Sequence, residues 1–233
     1  MERVEDWYIY CEYDNFLREI NFLYNEYINK IATLYKTPEE EANEYEKYLE
    51  ENPSEYSYIT NVEDVLLEIQ NLTFQRYLSV KNIKYRYLCM NIVALYQMLE
   101  QFFSSIIKTR ISMSMDETLK KKSAESKFYI VDIKFFFNEF NYDIESNKYY
   151  KEINELRLIE NVIKHGDGTS ANKLKAINDK YFKKVKMSYP YNDTIINDNL
   201  NIDEKDFERF YIAINKFIKE MPKHFIHKYK WEK

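Results

Sequence analysis

INELRLIENVIKHGDGTS, residues 153–170, holds both glycines of a 233-residue chain, Gly166 and Gly168. Proteins carry glycine at roughly 7% on average. A chain that uses it only here asks for a special backbone at this point, because glycine takes positive φ and close approach without steric cost. Ahead of the glycines, Leu156, Ile159, Val162 and Ile163 recur at three- and four-residue spacing, which predicts an amphipathic helix that stops at Gly166. At roughly 100° per residue, Arg157, Asn161 and His165 follow one another along a polar stripe, with Glu160 and Lys164 on its flanks and the aliphatic residues turned away. The stripe ends on a histidine beside a tight turn.

Outward from this stretch the pattern stays helical. Upstream, a central helix is predicted over about 79–111. Ile83, Tyr87, Met90, Ala94 and Met98 form one apolar stripe, and Leu88, Ile92, Leu95, Leu99, Phe103 and Ile106 a second. A helix apolar nearly all round is a buried one, and Glu100 stands out in it as a carboxylate that needs solvent or a partner. A long helix is predicted over 2–36, from Ile9, Tyr13, Phe16, Ile20, Leu23, Tyr27, Ile31 and Leu34; after Thr37-Pro38 a charged, exposed helix follows over 38–51. The apolar pattern resumes at Val62 with Val65, Leu66, Ile69 and Leu72. Residues 112–127 read as polar, lysine-rich and loosely helical, and 128–140 as too apolar to be exposed.

Beyond the glycines, Ser170 is the expected cap of a short helix. The run 181–201 is irregular, with a short hairpin as one reading, and a last helix starts at Asp203 with Ile202 and Phe207 as its staple and Pro222 after its end. Two glycines and four prolines are too few turn residues for a sandwich or barrel. The expected class is all-α, an antiparallel helical bundle at 61–233 preceded by an N-terminal helical extension at 1–60.

Net charge of -5 excludes binding of polyanions by bulk charge, but the charge is unevenly spread. Residues 147–186 hold ten Lys or Arg against five acids, whereas 37–68 hold eleven acids against one lysine. The basic segment around the turn fits a phosphate-bearing partner and equally an ordinary solvated face. Cys11 and Cys89 sit in apolar helical patterns and suggest no disulfide framework. The acidic N-terminus lacks a signal-peptide core, and no run approaches the ~20 apolar residues of a membrane span. The expectation is a cytoplasmic protein without a membrane segment.

The segment 147–170, together with ALYQMLEQFFSSI at 94–106, resembles the HEPN superfamily of small helical-bundle proteins, whose hallmark is an arginine, a spacer of a few residues and a histidine near a helix end. Asn161 matches the polar position after the arginine, His165 the histidine, and Glu100 the glutamate of the first bundle helix. The stretch 156–170 is also similar to a bacterial subfamily of the form LRL-x-x-N-x-x-KHG-x-G-x-S. One departure is plain: the position before Asn161 is Glu160, and the nearest arginine, Arg157, stands seven intervening residues from His165.

The resemblance implies metal-independent RNA cleavage without a cofactor, in phage defence or a toxin–antitoxin pair, by sites built across a homodimer. In that role His165 is the general acid and base, Asn161 orients, and Arg157 or Lys164 holds phosphate, helped by Gly166, Gly168 and Ser170 in the turn. An imidazole can take a proton from a ribose 2′-hydroxyl or return one to the leaving oxygen, and a guanidinium stabilises charge growing on the phosphate. Arg157 and His165 are about 12 Å apart along a helix axis, so a second copy would complete the site.

The same face also suits a non-catalytic module that binds RNA, a nucleotide or a cognate partner protein. Three bland readings stand beside these: His165 as a helix cap, Glu160 paired with Arg157 or Lys164 as a salt-bridged surface, and glycines that only let the chain turn. The turn lacks the GK[ST] ending of a P-loop. No serine-nucleophile elbow is present. His224 and His227 are too few for a zinc site of four ligands, and no metal is expected.

Overall fold

The protein is seen in a computed structural model that describes residues 2–59, 61–166, 168–182 and 200–227, without the side chains of 2–8, 10, 113 and 222–227. The described residues form α1 (Glu2–Glu26), α2 (Pro38–Glu51), α3 (Val62–Met113), α4 (Glu117–Glu125), α5 (Ile130–Glu139), α6 (Tyr150–His165), α7 (Thr169–Ile177) and α8 (Glu204–His227), with short 3-10 turns and no strand among them. The all-α expectation holds. None of these helices is long and apolar enough to cross a membrane.

The chain packs as two compact units, residues 1–24 with 92–233, and residues 25–91. The boundary expected at residue 60 falls inside the second. In the first unit the apolar stripe of α1 meets α3, with Phe16 stacked on Phe102 at 4.4 Å and Tyr13 edge-on to it at 5.1 Å. Phe103 joins α3 to α5 through Phe137 (5.4 Å) and to α8 through Phe217 (5.8 Å). Tyr24 stacks on Tyr211 of α8 at 4.0 Å. Each aromatic pair of this kind adds about 0.5–1.5 kcal/mol beyond the area it buries. Around them Ile92, Leu95, Leu99, Leu156, Ile159, Val162, Phe210 and Ile214 are fully buried. The periodicity of α6 therefore does what its sequence requires, turning its aliphatic stripe into the bundle core.

The second unit is smaller. Thr37 caps α2 in a capping box with Glu40, its hydroxyl accepting from the Glu40 amide at 3.2 Å and its amide donating to the Glu40 carboxylate at 2.9 Å. A small core of Leu49, Tyr56 and Ile69 follows, and Arg76 pairs with Glu41 at 2.7 Å.

Several expectations are corrected. The α-helix expected over 2–36 ends at Glu26, and a wider π turn carries it on to Ile31. The segments predicted separately from Val62 and over 79–111 are one helix of 52 residues, because neither glycine nor proline interrupts them. The lysine-rich stretch after 112 contains a regular helix, since Asp116 accepts from the amides of Thr118 and Leu119 and starts α4. Pro222 does not end α8, which runs to His227. Proline forfeits one helical hydrogen bond, and the apolar face ahead of it, through Phe217, Ile218 and Met221, is already fully buried. The hairpin expected within 181–201 falls largely on 183–199, outside the described residues, as do Asp167 and the side chains of His224 and His227.

Candidate functional site

Helix α6 presents the sequence-predicted residues on two different surfaces. Leu156, Ile159 and Val162 face the core at 0% exposure, while Lys164 and His165 are exposed at the last turn and Arg157 and Asn161 are half-buried. Arg157 reaches back one turn, donating through Nε and Nη2 to the Asn154 side-chain oxygen at 3.2 and 2.9 Å. Asn161 donates to the backbone oxygen of Arg157 at 2.8 Å. The two residues are thus linked to each other, and both point away from the helix end where His165 stands.

Glu160 makes the Lys164 pair that its spacing suggests, but not on an open surface. Placed on the flank of the polar stripe, it is in fact buried, 3% exposed, and its carboxylate pairs with Lys164 at 2.9 Å. The physical cause lies on α3: Glu160 faces Tyr96 and Glu100, one turn apart on that helix. Burial raises the Glu100 carboxyl above its usual range and the like charge of Glu160 raises it further, while Lys164 and Arg157 pull it down. The Tyr96 hydroxyl is raised by its burial first and by Glu100 second, with Arg157 opposing. Lys164 is raised mainly by its hydrogen bond to Glu160. Lys164 therefore pairs directly with Glu160, while Arg157, held by Asn154, acts on Glu100 only through its charge. Where the resemblance calls for an arginine there is an acid, and the cations sit three residues before it and four after.

The turn itself separates the two glycines. Gly166 has φ 70 and ψ -138, a region that only glycine enters freely. Its amide still donates to Val162 at 2.8 Å, closing α6. Gly168 is extended, with φ 160 and ψ -162, and a Cβ added there meets nothing within 4 Å. The expectation that both glycines serve a special backbone is met only by Gly166. Ser170 does not cap α7 either; the helix starts at Thr169, Gly168 holds the N-cap position, and no side chain of the described residues caps its first amides. A helix N-terminus favours anions through its free N–H groups and dipole. It follows the exposed Lys164 and His165 within four residues.

A second polar cluster escaped the sequence reading. Glu155 of α6, 5% exposed, receives both Nη atoms of Arg209 from α8 at 3.1 and 3.0 Å and the Tyr181 hydroxyl at 2.7 Å. Arg209 also donates to the Tyr181 oxygen at 2.8 Å. Asp206, which Lys180 contacts, lies 3.2 Å from the same hydroxyl and completes the α8 cap with Asp203, accepting from its amide at 3.4 Å while its own amide donates to the Asp203 carboxylate at 2.9 Å. Burial pushes the Glu155 carboxyl up, but the hydrogen bonds from Arg209 and Tyr181 outweigh it and hold the group below its usual range. The available signal was Glu155 itself, an acid in phase with the apolar positions 158, 159 and 162. Among the described residues no three potential metal ligands come together.

Compared with protein-family models, curated proteins and solved structures, the chain gives no significant match.

Proposed function

We propose that this chain is an RNA-acting protein of HEPN type, a cytoplasmic, metal-independent endoribonuclease of phage defence or a toxin–antitoxin pair. The observation that carries this reading is the α6–α7 turn, where an exposed imidazole and ammonium precede a helix N-terminus that has a glycine at its N-cap. In the proposed reaction the first amides of α7, including those of Ser170 and its neighbours, receive a phosphodiester with help from Lys164. His165 takes the proton of the ribose 2′-hydroxyl as that oxygen attacks phosphorus, and a proton returns to the departing 5′-oxygen. Arg157 is held toward Asn154 and lies about 12 Å back along the helix, so the guanidinium that neutralises the phosphate in this scheme comes from a second copy in a homodimer.

A second reading, a non-catalytic module that binds RNA, a nucleotide or a cognate partner protein, is favoured by a specific observation. Arg157 and Lys164 are both engaged within the chain, by Asn154 and by Glu160. One assay separates the two. RNA is incubated with wild type or His165→Ala in the presence of EDTA, and products are resolved by gel. His165 is exposed, so the variant folds. Cleavage lost in the variant supports the nuclease; RNA retained by both proteins without cleavage supports the module; and equal cleavage by both removes His165 from the chemistry.

A further inference from the structure

We propose that an open cleft formed by the end of α3, helix α4 and residues 126–128 is a subsite for single-stranded RNA; this rests on the RNA-directed reading of the α6–α7 turn. The cleft has a volume of about 400 Å³ and is lined by Lys108, Lys120, Ser112, Ser123, Ser126 and Phe128. No described residue that lines it carries a carboxylate. The Ser112 hydroxyl donates to the Thr109 carbonyl at 2.7 Å, which leaves two ammonium groups and the hydroxyls of Ser123 and Ser126 as the kind of donors a phosphodiester takes.

Neither lysine is paired with a buried carboxylate among the described residues. Lys120 pairs with Glu117 at 2.8 Å, but the Glu117 side chain is 82% exposed, so the pair is a weak surface one that exchanges readily with an incoming phosphate. The Lys108 ammonium lies 4.8 Å over the Phe128 ring. That leaves its hydrogen-bond donors open to an anion at the cleft.

Phe128 sets the backbone at the edge of the cleft. It is a bulky residue at φ 56, an unusual conformation that clusters at functional positions, with its amide donating to the Ser126 hydroxyl at 2.9 Å. The bend sends the Phe128 ring into the core, 7% exposed, and leaves Tyr129 62% exposed at the N-cap of α5. An exposed aromatic therefore stands next in the chain to Phe128, at the edge of the cleft with its cations. Cations for phosphates alternating with a flat ring for a base is the pattern that binds a single strand, whose bases are free to stack. A duplex offers no such base, and a small free anion would not use the ring.

The test is fluorescence anisotropy with a labelled oligouridylate about twelve nucleotides long, in EDTA and across a salt series, with circular dichroism to confirm folding. The Lys108→Gln, Lys120→Gln double variant is expected to bind at least about tenfold more weakly and to flatten the salt slope by about 1.4, two phosphate contacts at about 0.7 each. Tyr129→Ala is expected to lose at least about fivefold through stacking. Ser123→Glu keeps both lysines, places a carboxylate in the cleft and is also expected to weaken binding. Wild type that binds while all three variants bind equally well overturns the cleft and leaves the α6–α7 reading standing. Variants that lose binding, with a wild type that cleaves no RNA, overturn the nuclease and leave the cleft. A wild type that does not bind the oligonucleotide overturns the cleft directly.

Discussion

Replacing Arg209 with methionine removes the one guanidinium that serves Glu155, while keeping the length and apolar stem of the side chain. Glu155 would retain the Tyr181 hydroxyl at 2.7 Å and the Asn178 amide at 3.3 Å, but no cation among the described residues. Breaking a fully buried ion pair by removing one partner costs about 3–5 kcal/mol. The Arg209 side chain is 36% exposed against 7% for Glu155, so solvent screens part of the interaction and the expected loss is about 2–3 kcal/mol. The loss carries a pH signature. In wild type the folded-state pKa of Glu155 lies below its unfolded value, so the stabilisation is present above the ordinary carboxylate range and disappears as pH falls through the depressed value. In the variant, burial is opposed only by the hydrogen bonds from Tyr181 and Asn178, and the carboxyl moves up from its wild-type position. Urea unfolding of both proteins at about pH 7 and about pH 4 should give the full difference at the first and a clearly smaller one at the second. A difference that is the same at both pH values, or below about 0.5 kcal/mol at neutral pH, refutes the assignment of Arg209 as the group that keeps Glu155 ionised.

Gly166→Ala forces a Cβ into φ 70 and is expected to cost about 1–3 kcal/mol, whereas Gly168→Ala, extended and unobstructed, should change stability by less than about 0.5 kcal/mol; paired denaturation curves decide. Because Glu100 holds its proton to higher pH in the fold than when unfolded, its contribution is present at low pH and lost as pH rises through the raised value. Glu100→Gln should therefore gain on wild type as pH is taken from about 4 to about 8, and a variant that loses ground to wild type over that range would contradict the burial of Glu100 beside the like charge of Glu160. Thr37→Ala removes the capping box of α2 and should cost about 1 kcal/mol, seen as faster amide exchange in the first turn of that helix.

How far the sequence could be read depended on which residues carried a periodic signal. The core stripes of α1, α3, α6 and α8 were legible because Phe16, Leu95, Leu99, Ile159, Val162 and Phe210 repeat at helical spacing, and burial is what that spacing encodes. The start of α8 was legible through Ile202, Asp203 and Phe207, all local in the chain. The environment of Glu160 was not: which flank of a polar stripe turns inward depends on Tyr96 and Glu100, some sixty positions earlier. The same holds for Glu155, whose partners Tyr181 and Arg209 are brought to it only by the fold. The two glycines looked alike in sequence, and only backbone angles separate the one that must be glycine from the one that is an extended cap.

The Glu155 cluster also bears on how α6 is indexed. An aliphatic stripe is smooth, and a helix lying on a greasy surface can rotate or slide a little with small change in buried area. The hydrogen bonds from Arg209 and Tyr181 are directional and admit one angular setting, as a key in a slot fixes a shaft. Ten residues further along, that setting decides which way His165 faces, since a slip of one residue swings the side chain by roughly 100°. An all-apolar replacement of the cluster can be as stable as the original and yet leave the tip of α6 aimed at random.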